Sequence, residues 1–218
     1  MRTSLLFVLL LSLITCLPYN AVNQPSRRTV AGKSKTVTPE DVLRELNLAR
    51  QNPARYAAVL EQLRPLYNGK YLIKPGRVRL VTKEGFRAVE EAIRFLKTAR
   101  PVPAFRLSKG MSRAALDHVH EQGWNGNTGH RGTDGSTPDK RLARYGTWLH
   151  TMGENISYGS ENARDVVIDL IVDDGVPDRG HRKNIFNPNF RIVGLAYGPH
   201  AQYRTICVMT FAGDFKEK

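Results

Sequence analysis

Gly153-Glu154-Asn155-Ile156 stands between two copies of one triplet, Gly129-His130-Arg131 and Gly180-His181-Arg182, in a chain of 218 residues. A repeated tripeptide carries little weight alone. The set His130, Glu154 and His181 carries more, because each member sits beside a glycine or in a loop. Two imidazoles and a carboxylate can bind a divalent metal or move a proton. The plain alternative is that the two histidines are ordinary polar loop residues and Glu154 pairs with backbone amides or a cation.

Around this set the chain alternates helical patterns with a terminal strand pattern. Downstream of Glu154, residues 161–174 carry Val166, Val167, Leu170 and Ile171 at helical spacing and are stopped by Gly175 and Pro177. Residues 192–198 and 203–211 alternate as strands about a turn at Pro199-His200-Ala201-Gln202, which predicts a hairpin. Upstream, glycine recurs every third residue from Gly123 to Gly135. The run is too short and proline-poor for a collagen helix and predicts irregular backbone that approaches a site closely.

Further upstream, Thr38-Pro39-Glu40-Asp41 opens a helix with a cap, a proline in the first turn and acids at the positive end. Val42, Leu46 and Ala49 form its apolar stripe, and Asn52-Pro53 restarts a second helix with Tyr56, Ala57, Leu60 and Leu63 inward. Residues 68–81 are a connector with short strands at 71–73 and 78–81. Thr82 then caps a helix carrying Phe86, Val89, Ile93 and Leu96, stopped by Pro101 and Pro103. Ser108 caps the next, with Met111, Ala115 and His118 or Val119 on one side, and Gly123 ends it. Four or five helices and a closing antiparallel pair predict an α+β fold.

Residues 1–24 read as a secretory signal peptide: Arg2, then an apolar run from Ser4 to Leu17 that falls short of the roughly 20 residues a bilayer requires. Leu13-Ile14-Thr15-Cys16 loosely matches a lipoprotein box, so Cys16 is either a lipid-anchor site or a cysteine within the apolar run. Residues 25–38 are a polar linker and 39–218 a single domain with no transmembrane helix. Outside the leader Cys207 is the only cysteine, so no intramolecular disulfide forms and the fold rests on its core. Thr205, Cys207, Met209 and Phe211 share one strand face, which marks a buried structural thiol.

The net charge is +13, and it is uneven. Residues 70–113 hold twelve Lys or Arg against Glu84, Glu90 and Glu91, a net of +9. For an exported chain this charge points to anionic envelope polymers, lipid headgroups or acidic glycans rather than nucleic acid. A well-solvated helix face is the plain alternative. HExxH, GxSxG, CxxC, P-loop and dinucleotide motifs are all absent from the sequence, and His120-Glu121 lacks the second histidine a zincin needs.

Several stretches, in order, resemble the CAP superfamily of cysteine-rich secretory proteins, antigen 5 and pathogenesis-related 1 proteins, also called the SCP domain. They are Leu46 to Ala57, Ala115 to His130, Gly153 to Ile156, Gly180 to Ile185, Phe190 to Gly194 and Phe211 to Gly213. The third stretch is similar to the family's Gly-Glu-Asn signature and the fourth to the Gly-His-Arg-x-Asn-Ile of its bacterial branch.

The resemblance implies an α-β-α sandwich, a small antiparallel sheet between helical layers, and a cleft with two histidines and two acids. On this chain those are His130, Glu154, His181 and an acid matched by Asp173, with Asp174 the close alternative. In the family's eukaryotic members the fourth acid lies three residues after a tryptophan; here Leu170 takes the tryptophan's place, and an aspartate reaches one methylene less far than a glutamate would. The family's eukaryotic disulfides are absent, and residues 70–106 form an insertion.

The resemblance also implies a secreted or cell-envelope location and a cleft able to hold Zn²⁺ or another divalent cation weakly. CAP folds serve sterol and lipid binding, defence and claimed hydrolysis, so fold does not fix activity. The first reading is a non-enzymatic exported binding or envelope-associated module, with an anionic envelope polymer, a lipid or a sterol as partner. The second is a metal-dependent hydrolase with His130 and His181 as ligands and Glu154 as base.

Overall fold

A computed structural model describes residues 36–218, so the leader, Cys16 and most of the linker lie outside the described residues. Seven α-helices are described: α1 (Pro39–Gln51), α2 (Pro53–Glu61), α3 (Phe86–Thr98), α4 (Lys109–Asn125), α5 (Pro138–Ala143), α6 (Ala163–Val172) and α7 (Gly180–Ile185). Seven strands accompany them: β1 (Tyr67–Asn68), β2 (Tyr71–Leu72), β3 (Leu80–Val81), β4 (Arg106–Leu107), β5 (Gly146–Tyr158), β6 (Ile192–His200) and β7 (Arg204–Glu217). No described helix is long and apolar enough to cross a membrane.

The first helix starts where the sequence places it. Thr38 Oγ1 accepts from the Asp41 amide at 3.1 Å and the Asp41 carboxylate accepts from the Thr38 amide at 3.1 Å, a reciprocal capping box. Val37, at the end of the linker, already packs against the core.

The central sheet has the order β4-β6-β7-β5 and is antiparallel except for the parallel pair β4–β6 at one edge. One sheet face carries Val193, Leu195, Cys207, Met209 and Phe211, packed against apolar stripes of α1, α2, α3 and α6. The opposite face carries Ile192, Ala196, Ile206, Val208 and Ala212, packed against Met111, Ala114, Ala115 and Val119 of α4. Helices on both faces of one sheet make the α-β-α sandwich. Gly194 lets α4 approach closely, since a Cβ there would stand 2.2 Å from the Met111 carbonyl carbon.

Four sequence expectations change. Thr82 does not cap α3, which begins at Phe86 after Gly85. The Asp174 carboxylate takes the Lys83 and Glu84 amides at 2.6 and 2.8 Å, so those residues bend before the helix starts. Gly123 does not end α4, which continues to Asn125 with Gly126 as its left-handed cap. Gly123 is needed inside the helix because a Cβ would meet the Pro199 carbonyl oxygen at 2.5 Å. The helix expected over 161–174 is shorter, with Asn162 as its N-cap and Asp173 already in the left-handed region at φ 57°.

The fourth change is strand β5, which periodicity does not announce. Residues 146–158 mix Gly, Asn, Glu and His with apolar residues, and the strand exists because it pairs with β7 along most of its length. A bulge between Leu149 and Met152 breaks the register, with His150 at φ 71°.

Candidate functional site

Strand β5 is a sheet edge, and successive side chains leave it on opposite faces. Glu154 lies in register with Thr210 on the α4 face; Asn155 lies in register with Met209 on the α6 face. The strand therefore serves two sides of the molecule with two adjacent residues. Gly153 precedes them because a Cβ there would press on the Phe190 ring at 3.1 Å and on Asn184 Oδ1 at 3.3 Å. Ile156 closes the signature by entering the core under α4.

On the first side, Glu154 Oε1 meets His130 Nδ1 at 2.9 Å. Arg141 Nη2, on α5, donates to both Glu154 oxygens at 3.0 and 2.8 Å. The Glu154 side chain is 2% exposed and that of Arg141 is 1% exposed, whereas the His130 ring is 52% exposed. Arg141 Nη1 also donates to the His130 and Ser136 carbonyls. The loop before His130 is pinned at Gly129, whose amide donates to Tyr158 Oη at 2.9 Å and whose carbonyl accepts from Gln122 at 2.6 Å. His118 Nε2 shares that carbonyl at 2.8 Å, so His118 is structural. His200 is structural too, its Nδ1 accepting from the Gln202 and Tyr203 amides in the hairpin turn.

On the second side, Asp173 meets His181. Asp173 Oδ1 and His181 Nδ1 are 2.6 Å apart, and Asp173 Oδ2 accepts from the His181 amide at 2.9 Å. The Asp173 side chain is 2% exposed and that of His181 27%. Of the two acids the sequence left open, Asp173 joins the histidine, while Asp174 binds the amides before α3. Asn155 Nδ2 donates to the His181 carbonyl at 3.0 Å, and Asn155 Oδ1 accepts from Asn184 at 2.8 Å.

The turn leading into α7, the helix that carries His181, is held by the insertion. Arg179 donates to both Glu84 oxygens at 2.7 and 2.8 Å and to Glu91 at 2.7 Å. Arg182 donates to the other Glu91 oxygen at 2.7 Å. The Arg179 bonds hold the Glu84 carboxyl down at about 2. Two of the three acids among residues 70–113 are thus spent on the approach to α7. Arg50 of α1 holds the far end of that helix: it donates to the Pro103, Ile185, Asn187 and Phe190 carbonyls and stacks on the Phe105 ring at 3.7 Å. Burial lowers its guanidinium to about 10.

The four residues expected from the sequence form two histidine–acid pairs. Among the described residues no hydrogen bond joins one pair to the other, and no group of three or more His, Cys, Asp or Glu is arranged to hold a metal ion. Sequence reasoning missed Arg141, Arg50 and Arg179. The one signal for Arg50 was its place in the Leu46–Ala57 stretch; nothing local marked the other two.

The family model of the cysteine-rich secretory proteins, CAP, matches residues 43–211. The chain belongs to the CAP family. Solved structures similar to this CAP domain include an extracellular protein containing an SCP domain from Bacillus anthracis, at 20% identity and TM-score 0.42, over 51% of this chain and 34% of that one. An outer surface protein from Borrelia burgdorferi matches at 19% identity and TM-score 0.44, over 54% and 80%. A cysteine-rich secretory protein from Staphylococcus aureus matches at 13% identity and TM-score 0.36, over 59% and 38%. The chain spans about a third of the length of the first and four fifths of the second. No curated protein sequence matches it.

Proposed function

We propose that this CAP domain works outside the cytoplasm as a binding module of the cell envelope and does not hydrolyse a substrate. The observation that carries this reading is the Arg141–Glu154 clamp. A general base needs a lone pair facing the proton it removes. Three donor contacts, from His130 and twice from Arg141, fall on the Glu154 oxygens, and the side chain is 2% exposed. The apolar leader and the +13 charge support an anionic partner outside the cell.

The same contacts decide which atoms suit a divalent cation. Each carboxylate faces the Nδ1 of its histidine, which leaves Nε2 of His130 and of His181 as donors. A carboxylate behind a histidine ligand fixes the tautomer without touching the metal. Each pair thus offers one imidazole nitrogen to a cation, and the ring of two histidines and two acids does not suit one, because Glu154 already serves a guanidinium. A bound Zn²⁺ would act there as a Lewis acid.

Calorimetric titration of Zn²⁺ into wild type, His130→Ala/His181→Ala and Glu154→Gln tests the site. Heats abolished by the histidine pair and unchanged by Glu154→Gln are expected; equal heats from wild type and the histidine variant reject the metal role. Hydrolysis of ester, peptide or phosphate substrates that Glu154→Gln abolishes would overturn the binding reading in favour of the hydrolase.

A further inference from the structure

We infer that the hairpin of residues 67–81 is a docking surface for an anionic lipid bilayer; this rests on the reading of the chain as an envelope-binding module. Among the described residues, five of the nine exposed large apolar side chains fall in this short segment: Tyr71, Ile73, Val78, Leu80 and Val81. Val78 is 90% exposed, Val81 67% and Leu80 57%. β1, β2 and β3 form a small antiparallel sheet in that order, with Tyr71 opposite Val81 and Leu72 opposite Leu80, so the edge strand β3 offers apolar groups on both faces. A folded protein does not concentrate apolar surface in this way without something to cover it.

The same fifteen residues hold Lys70, Lys74, Arg77 and Arg79 and no acid. Lys74 pairs with Asp165 at 2.8 Å, and Arg77 pairs with Asp165 at 3.1 Å and Glu161 at 3.4 Å. These bonds fix the hairpin on the start of α6, so docking does not have to order it. Lys70 and Arg79 have no carboxylate partner among the described residues, and the Arg79 guanidinium lies 4.3 Å from the centre of the Tyr71 ring. The hairpin also forms one wall of a cavity of about 740 Å³, where Leu72, Val78 and Leu80 face Tyr158 and Tyr203.

Apolar tips surrounded by cations match one kind of occupant. A hydrated polyanion would meet Lys70 and Arg79 but leave Val78, Leu80 and Val81 in water. A bilayer with anionic headgroups takes both: cations sit at the headgroups and apolar side chains enter the boundary with the acyl chains. Tyrosine and arginine, with apolar bodies and polar ends, suit that boundary.

The test is co-sedimentation of the full chain with vesicles of phosphatidylcholine alone and of equal parts phosphatidylcholine and phosphatidylglycerol. Wild type, Val78→Ser/Leu80→Ser, Lys70→Gln/Arg79→Gln and a control Leu116→Ser are compared in the same chain, so any contribution of residues 1–35 is common to all. Every substituted position is exposed, and circular dichroism confirms that each variant is folded. The expected result is that wild type prefers the anionic vesicles and that each hairpin pair weakens binding roughly tenfold, with the control unchanged. Binding should also fall as salt rises.

Hairpin variants that bind like wild type overturn the proposal. So does a loss confined to Lys70→Gln/Arg79→Gln, especially with equally tight binding to polyglutamate; that pattern identifies a polyanion. Self-association through β3 that Val78→Ser/Leu80→Ser abolishes, with no vesicle binding, also overturns it. None of these outcomes alters the Zn²⁺ and hydrolysis results, so the two readings fail separately.

Discussion

The Asn155 side chain donates to the main-chain carbonyl of His181 at 3.0 Å, one residue along the strand from the carboxylate that holds His130. A single dipeptide, Glu154-Asn155, therefore holds the ring of one histidine and the backbone of the other. This is why the signature reads as an acid followed by an amide. The acid meets a histidine ring, and the buried amide satisfies a helix carbonyl and the Asn184 side chain together.

Arg141→Met should cost about 3–5 kcal/mol, because it strands a carboxylate in the interior. Arg141→Met/Glu154→Gln should recover part of that loss, since the remaining partner is neutral. Urea denaturation of the two single variants and the double variant measures the coupling. Strict additivity would mean that the pair does not interact in solution.

Arg50→Lys should destabilise the domain by about 2–3 kcal/mol despite keeping the charge. An ammonium cannot reach four carbonyls set around a planar fork or stack on Phe105. Thermal unfolding reads the loss; a change within experimental error would refute the account.

Acidification should weaken the hold on the turn leading into α7. The Glu84 carboxyl, held down at about 2 by Arg179, lies below its ordinary value, so folding is favoured while the group is charged. That contribution is complete above the ordinary carboxylate range and is lost as the pH falls from about 5 toward about 2. Glu84→Gln should flatten that part of the stability–pH curve and raise amide exchange at residues 174–181. An unchanged curve would remove Glu84 from the account.

Cys207 should resist thiol reagents in the folded protein. It is 1% exposed on the core face, in register with Tyr197 and Ser157, and burial pushes its thiol up to about 12. Maleimide labelling should follow global unfolding. Rapid labelling of the native chain would show that the core opens locally.

Much of the fold was legible because caps and periodicity act locally. Thr38, Ser108 and the stripes of α1, α3 and α6 announce themselves within a few residues. Strand β5 was hidden because its pairing with β7 spans some sixty residues and outweighs local preference. The site divided in the same way. His130, Glu154, His181 and Asp173 stood out beside recognisable glycines, whereas Arg141 could be found only once α5 lay against Glu154. The insertion looked like a basic surface, but its acids turned out to brace the helix that carries His181.

Asp173 is an aspartate where the sequence resemblance implies room for a longer acid, and its backbone suits the shorter arm. It closes α6 at φ 57°, a conformation that aspartate and asparagine tolerate better than longer side chains. From that turn the short carboxylate meets the His181 amide and ring in one step. Side-chain reach and backbone curvature have been traded against each other. Exchanging this acid alone for glutamate would therefore be a disruptive change in this chain, conservative as it looks on paper. Grafting the longer acid successfully would require importing the backbone turn along with it.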